Sequence, residues 1–95
     1  MNKDRELTDI WDGRKTTYSI IDESGEKSSI TIDKWAADFL QDLLPNVHQW
    51  IQEKYDLICF EYSQLSRRKK GDVLREVAAL KARQHEDYFG IERLL

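Results

Sequence analysis

Two short runs in which apolar and polar residues alternate stand near the start of the chain. They are KTTYSII (residues 15–21) and KSSITID (residues 27–33), and the polar cluster DESGE (residues 22–26) separates them. A period of two with β-branched residues predicts strands, and a turn-forming cluster between two such runs predicts a hairpin. We therefore expect a β-hairpin over residues 15–33.

The side-chain pattern also predicts how the strands are aligned. Pairing Ile20 with Ile30 and Tyr18 with Ile32 puts these four apolar residues on one buried face, and it needs a loop of three or five residues. The other face then has two cations, several hydroxyls and no carboxylate: Lys15, Thr17, Ser19, Ile21, Lys27, Ser29 and Thr31. It is either an ordinary solvated face or one that lies against a polyanion, since a two-stranded ribbon fits the major groove of DNA.

Apolar residues at helical spacing follow the hairpin. Asp33 is the expected N-cap of a helix over residues 34–44. Pro45 interrupts the pattern because proline lacks an amide donor. A second stripe covers residues 46–63, so this region is either two helices or one kinked helix. A third helix is predicted over residues 67–86.

These elements predict a fold class. We expect a single small α+β domain over residues 14–95, with an N-terminal β-hairpin followed by three helices. The aromatic residues at helical spacing are expected in the core: Trp35, Phe39, Trp50 and Tyr55. Residues 1–13 show no period and are predicted to be a flexible N-terminal segment. The apolar tail DYFGIERLL (residues 87–95) packs either on the core or on a partner.

Composition narrows the class of protein. A chain of 95 residues with 40% apolar content supports one modest core, and a dimer that shares its core would relieve that limit. Cys59 is the only cysteine, which favours a reducing, cytoplasmic setting. The charged opening does not resemble a secretory signal. The longest apolar run, LICF (residues 57–60), is far shorter than the roughly 20 residues of a membrane span.

The sequence offers little chemistry for catalysis or for cofactors. His48 and His85 lie far apart along the chain, and Cys59 stands in an apolar stretch without a neighbouring metal ligand. The glycines at positions 13, 25, 71 and 90 are too scattered for a phosphate-binding loop. We therefore expect no metal, no cofactor and no catalytic residue, and a protein that is not an enzyme.

Charge is distributed unevenly although the net charge is only −3. Residues 33–65 carry two cations and six anions, whereas residues 66–95 carry eight cations and five anions. Such asymmetry indicates either a surface for nucleic acid or a partner, or an acidic helix that packs beside a basic one. The sequence leaves both possibilities open.

Four consecutive cations, Arg67 to Lys70, stand at the predicted start of the third helix, where Ser66 can act as the N-cap. A helix N-terminus attracts anions, so cations there are unfavourable by about 0.3–1 kcal/mol each in isolation. A bound polyanion would offset that cost, and so would carboxylates of the helix over residues 46–63. Gly71 leaves open whether the helix starts at Arg67 or at Asp72.

The order of the strand KSSITID, helical sequence and then SRRKKGDVLREVAALKA, within residues 27–82, resembles the ribbon-helix-helix DNA-binding family. KGDVLREVA (residues 70–78) is similar to the start of that family's second helix. The resemblance implies an intertwined dimer whose paired strands enter the major groove. It implies base contacts from Lys27, Ser29 and Thr31. It also implies phosphate contacts from the segment Arg67 to Gly71.

Two functions remain as hypotheses. The first is a small DNA-binding protein, such as a transcriptional regulator, an antitoxin or a mobile-element accessory factor, that acts as a homodimer on double-stranded DNA. Its candidate DNA-binding residues are Lys15, Lys27, Ser29, Thr31, Arg67, Arg68, Lys69 and Lys70. The alternative is an acidic protein-interaction module, an inhibitor or adaptor that binds a basic protein. Its candidate partner-binding residues are Asp38, Asp42, Glu53 and Asp56.

Overall fold

A hairpin and four helices make up the part of the chain that the computed structural model describes, residues 13–94. In chain order the elements are β1 (Lys15–Ile21), β2 (Lys27–Asp33), α1 (Lys34–Leu43), α2 (Val47–Glu61), α3 (Arg67–Ala82) and α4 (Glu86–Glu92). The predicted class, an α+β domain with an N-terminal antiparallel hairpin followed by helices, is confirmed. The first twelve residues of the predicted N-terminal segment and Leu95 lie outside the described residues.

The faces of the hairpin match the prediction, but its register does not. Tyr18 pairs with Ile30 and Ile20 pairs with Ser28, so β2 is shifted by two residues from the predicted alignment. A shift of two preserves the faces, because side chains alternate with a period of two. Ile20, Ile30 and Ile32 are therefore buried as expected, although Ile20 does not lie opposite Ile30.

The turn explains this register. The five-residue connection over residues 22–26 is closed by Asp22, whose amide donates to the Glu26 carbonyl at 2.8 Å. The Asp22 carboxylate accepts hydrogen bonds from the amides of Ser24 and Glu26. Gly25 has a φ of 82°, a left-handed conformation that favours glycine. Local turn chemistry thus aligns the strands, rather than the matching of isoleucines.

A backbone hydrogen bond connects the hairpin to the start of α1. The Asp33 side chain makes no capping hydrogen bond, so the predicted role of Asp33 as a capping side chain is wrong. The Lys34 amide donates instead to the Arg14 carbonyl at 2.9 Å, which continues the strand pairing into the first turn of α1. The Asp33 carboxylate pairs across the hairpin with Lys15.

Pro45 separates two helices, which settles the question of one kinked helix or two. The Asn46 side chain accepts from the Gln49 amide at 3.0 Å and caps α2. Farther along, the Ser66 hydroxyl accepts from the Lys69 amide at 3.2 Å, as expected for the N-cap of α3. The basic run is therefore helical and Gly71 lies inside the helix. This helix ends at Ala82 rather than at residue 86, and α4 is a separate element.

One core unites the hairpin and the helices. The α2 helix lies along β1, α3 lies along β2, and α1 packs mainly on α3. The buried apolar residues come from all of these elements: Ile20, Ile30, Ile32, Ala36, Ala37, Phe39, Leu40, Val47, Ile51, Tyr55, Ile58, Leu74, Ala78 and Ala82. The hairpin therefore covers one side of the antiparallel pair formed by α2 and α3.

The C-terminal helix packs on the core through Tyr88. Its ring stacks on Trp35 with a centroid distance of 5.8 Å and meets the edge of Phe39. Phe89 and Leu94 remain 47% and 80% exposed. The tail thus contributes Tyr88 to the core and leaves two apolar side chains outside it. Among residues 13–94, no helix is both long enough and apolar enough to span a membrane.

We predict opposite effects of the same substitution at two glycines. A Cβ at Gly71 would meet its nearest neighbours at 3.5–3.6 Å, which is ordinary contact. Gly71→Ala should therefore raise the free energy of unfolding by about 0.5–1 kcal/mol, because glycine inside a helix is unfavourable. Gly25→Ala should lower it by about 1 kcal/mol, because alanine is strained at positive φ. Urea denaturation of both variants measures the two changes. A loss of stability in Gly71→Ala would show that α3 and β2 pack too closely for a methyl group.

Candidate functional site

The structure splits the basic run at the start of α3 into two pairs. Arg67 and Lys70 turn towards the hairpin, whereas Arg68 and Lys69 are exposed. Lys70 is only 4% exposed. Two of the four cations predicted to contact phosphate are thus engaged inside the molecule.

Lys70 is held by the hairpin turn. Its Nζ donates to Glu23 Oε2 at 2.6 Å, and the Tyr55 hydroxyl donates to Glu23 Oε1 at 2.6 Å. The hydrogen bonds from Lys70 and Tyr55 lower the pKa of Glu23 to about 2. The same contact with Glu23 raises the pKa of Lys70. Burial, followed by the Glu23 hydrogen bond, raises the pKa of Tyr55. The carboxylate that neutralises Lys70 therefore comes from the turn rather than from α2.

Arg67 connects α3 to the start of β2 and to α2. Its Nη2 donates to the Ser28 hydroxyl at 2.7 Å and to the Ser29 carbonyl at 2.9 Å. Its guanidinium also lies over the Tyr55 ring, 5.2 Å from the centroid. These contacts hold the Arg67 side chain within the fold, although the sequence predicted that it would contact phosphate.

The outer edge of β1 is bound by two side chains of α2. His48 Nε2 donates to the Ser19 carbonyl at 2.6 Å. Gln52 Oε1 accepts from the Ile21 backbone amide at 2.7 Å, and Gln52 Nε2 donates to the Ile21 carbonyl at 2.9 Å. The Gln52 side chain thus makes the pair of hydrogen bonds that a third strand would make.

The outer edge of β2 is bound in the same way by α3. The Ser29 carbonyl accepts from Arg67, and the Thr31 carbonyl accepts from Arg75 Nε at 2.9 Å. Side chains from helices thus occupy backbone groups at both edges of the hairpin, a common means of protecting edge strands. A ribbon formed with a second chain would have to displace these hydrogen bonds.

The solvent face of the hairpin carries four candidate DNA-binding residues: Lys15, Lys27, Ser29 and Thr31. It also carries a carboxylate, because β2 extends to Asp33, which pairs with Lys15. The expectation of a face without carboxylates is therefore wrong. The Thr17 and Thr31 hydroxyls lie 2.9 Å apart and bind each other. Lys27 and Ser29 are exposed on this face.

The four candidate partner-binding carboxylates are divided between two helices. On α1, Asp38 pairs with Lys34 at 2.7 Å and Asp42 Oδ2 lies 2.9 Å from His85 Nε2. On α2, Glu53 and Asp56 are exposed and accept hydrogen bonds from Gln49 and Gln52 respectively. The four carboxylates therefore form two pairs, one on each helix.

The two histidines serve as structural links. His48 binds the edge of β1, as described above, and His85 stacks on Phe39 with a centroid distance of 4.6 Å. His85 Nδ1 accepts from the Asp87 amide at 3.0 Å. Within residues 13–94, no group of three or more histidine, cysteine and acidic side chains has the arrangement of a metal site.

Within residues 13–94, the side of α2 and α3 that faces away from the hairpin is not covered by another element. We call it the open helical face, and it consists of Lys54, Leu57, Glu61, Tyr62, Val73, Val77 and Leu80. A groove of about 460 Å³ runs along it, with Ile58 at its base. Leu57, Tyr62 and Leu80 are 50%, 48% and 54% exposed. The neighbouring Phe60 is 81% exposed. This groove is an apolar surface without a partner in the described part of the chain.

Sequence reasoning missed both the buried lysine and the open helical face. The signal for the first was available, because Lys70, Leu74, Ala78 and Ala82 recur every four residues and are all buried. Val73 and Val77, on a different side of the same helix, line the groove. No comparable signal in the sequence identified Gln52 and His48 as residues that bind a strand edge.

Comparisons with models of protein families, with curated proteins and with solved structures found no match to this chain.

We predict that Glu23 makes stability depend on pH at low pH. Its pKa is about 2 in the folded chain and near 4.5 when unperturbed, so the unfolded chain binds more protons between these values. The stabilisation is complete above about pH 5 and is lost as the pH falls towards 2. In Glu23→Gln this part of the pH dependence should disappear, whereas Glu26→Gln removes the same charge from the same turn and should keep it. Urea denaturation from pH 2 to 7 measures the effect, and identical profiles for both variants would contradict it.

We also predict that two adjacent lysines differ sharply in their effect on stability. Lys70→Ala removes the partner of Glu23 and should lower the Tm by roughly 5 °C or more. Lys69→Ala changes an exposed side chain and should shift the Tm by no more than about 2 °C. Thermal unfolding followed by circular dichroism measures both changes. Equal shifts in the two variants would show that Lys70 does not hold the turn.

Proposed function

We propose that this chain is a protein-interaction module that binds another protein chain through the open helical face. The observation that carries the proposal is the apolar groove between α2 and α3, which is lined by Leu57, Val73 and Val77. Contiguous exposed apolar surface on a small domain is typical of a protein-binding site. Exposed aromatic side chains such as Phe60 are also enriched at such sites.

The arrangement of the rest of the fold supports this choice of surface. The hairpin already covers the opposite side of the helix pair, and both of its edges bind side chains from the helices. Arg67 and Lys70, two of the four cations that the sequence assigned to phosphate, bind the hairpin instead. Of the surfaces considered above, the open helical face is the one that combines a groove with large exposed apolar side chains.

The three carboxylates of α2 do not all belong to the groove. Glu61 lines the groove, whereas Glu53 and Asp56 are exposed on α2 outside it. Charges at the rim of an interface mainly change the rate of association. Of the partner-binding residues proposed from the sequence, Glu53 and Asp56 therefore lie on the same helix as Leu57, but none of the four lines the groove.

A capture experiment with two matched variants tests this function. The immobilised wild type, Leu57→Ser and Phe89→Ser are incubated with nuclease-treated lysate of the source cell, and captured proteins are quantified by mass spectrometry. Leu57 and Phe89 are 50% and 47% exposed, but Phe89 lies on α4, outside the open helical face. We expect Leu57→Ser to lose at least tenfold of a protein that Phe89→Ser retains. Equal capture by all three forms would rule out the open helical face as the binding site.

DNA binding is a second candidate, favoured by the exposed cations Lys27, Arg68 and Lys69 near the junction of α3 and β2. Arg67 joins these two elements, and the exposed cations would be available to phosphates. This DNA-binding surface does not include Lys70, because Lys70 binds Glu23 of the hairpin turn. The ribbon-helix-helix resemblance stays a prediction.

The salt dependence of DNA binding distinguishes this second candidate. The double variant Arg68→Ala and Lys69→Ala leaves the internal contacts of Arg67 and Lys70 intact. If both cations bind phosphate, the slope of log K against log salt should flatten by about 2, because about 0.9 counterions are released per phosphate contact. Fluorescence anisotropy with random duplex DNA measures the slope. An unchanged affinity and slope would exclude these cations as phosphate ligands.

A further inference from the structure

The groove of the open helical face carries opposite charges at two points along α2. On α2, Lys54 and Glu61 both line the groove, with Leu57 between them. Their spacing of seven residues is about two helical turns, so they lie on the same side of the helix, about 10 Å apart. The apolar centre of the groove is thus bounded by a cation at one end and an anion at the other.

Neither charge has an opposite partner in the described structure. Lys54 Nζ lies over the Trp50 ring at 5.7 Å from its centroid. Glu61 is exposed, and no salt bridge joins it to any residue of the described range 13–94. Both charges are therefore available to a molecule that enters the groove.

A two-fold axis beside Leu57 and Ile58 would match these charges to each other. Rotation about an axis in the plane of the face and perpendicular to α2 lays α2 antiparallel on its own copy. The rotation exchanges the positions of the two charges, so Lys54 of each chain meets Glu61 of the other. A surface that complements itself in this way is what a two-fold symmetric dimer requires.

The apolar residues of the groove suit the same arrangement. On α3, Val73, Val77 and Leu80 follow the spacing i, i+4 and i+7, which forms a continuous stripe along a helix. Two antiparallel helix pairs that meet through such stripes form a four-helix bundle. The dimer would bury Leu57 and Leu80, which are half exposed in the single chain.

We propose that the occupant of the open helical face is a second copy of this chain, bound antiparallel with Lys54 of each copy against Glu61 of the other. The proposal rests on the proposed function and identifies its partner. It places the dimer interface on the helices and leaves both hairpins on the outside. A partner from another protein is the competing outcome.

Molecular mass in solution is the first test. Sedimentation equilibrium over a concentration series should give a dimer for the wild type and for Phe89→Asp, and a monomer for Leu57→Asp. Leu57 is half exposed, so circular dichroism should show that this variant keeps its fold. A wild type that remains monomeric at all concentrations, or a Leu57→Asp variant that still dimerises, would overturn the proposal.

Charge exchange tests the antiparallel register. Lys54→Glu alone puts two carboxylates opposite each other at both ends of the interface, and Glu61→Lys alone does the same with two ammonium groups. Each single variant should weaken the dimer on the order of tenfold at low salt. The double variant should recover wild-type affinity. An equimolar mixture of the two single variants should form a mixed dimer, because every contact in it is again attractive.

The outcomes separate this inference from the function on which it rests. Single variants that dimerise as tightly as the wild type, or no mixed dimer on combining them, would contradict the antiparallel copy as the occupant. If the chain is monomeric while Leu57→Ser still loses a captured protein, the proposed function stands and the second copy is excluded. If neither dimerisation nor capture depends on Leu57, both fail.

Discussion

The contact between the Lys70 ammonium and the Glu23 carboxylate joins the hairpin turn to α3. The positions of the helices relative to the hairpin depend on this contact. A buried lysine is unfavourable unless an anion accepts its hydrogen bond. Glu23 supplies that anion from the hairpin turn, and Tyr55 of α2 donates to the other oxygen of the same carboxylate. A single side chain in a five-residue turn thus fixes the positions of both long helices relative to the hairpin.

Once the helices are held in this way, their polar side chains reach the edges of the hairpin. Gln52 binds the edge of β1, and Arg75 binds the edge of β2. Both edges of the hairpin are therefore bound by side chains of the same chain, although a two-stranded sheet has two free edges in isolation. Because these contacts use one side of each helix, the described part of the chain leaves the opposite sides exposed, and they form the open helical face. The open helical face thus results from the contacts that side chains of α2 and α3 make with the hairpin.

The sequence predicted the elements more reliably than the contacts between them. Alternation gave the correct faces of the hairpin, and Ser66 caps α3 as predicted, whereas the Asn46 cap of α2 was not predicted. The predicted register is wrong because the turn hydrogen bonds of Asp22, rather than the pairing of isoleucines, align the strands. The role of Lys70 could have been read from its four-residue spacing to Leu74. Its partner could not, because Glu23 lies far away along the chain and only the packed fold brings the two together.

Lys70, at the start of α3, is neutralised by Glu23 of the same chain. Titration of the Glu23 side-chain carboxyl carbon by nuclear magnetic resonance is the sharpest test of this contact, since it reports the protonation of that one group in the folded chain. We expect a midpoint near pH 2, because Lys70 and Tyr55 both bind the ionised form. A midpoint near the ordinary value of 4.5 would show that Lys70 is not bound to Glu23 and is free for an external partner.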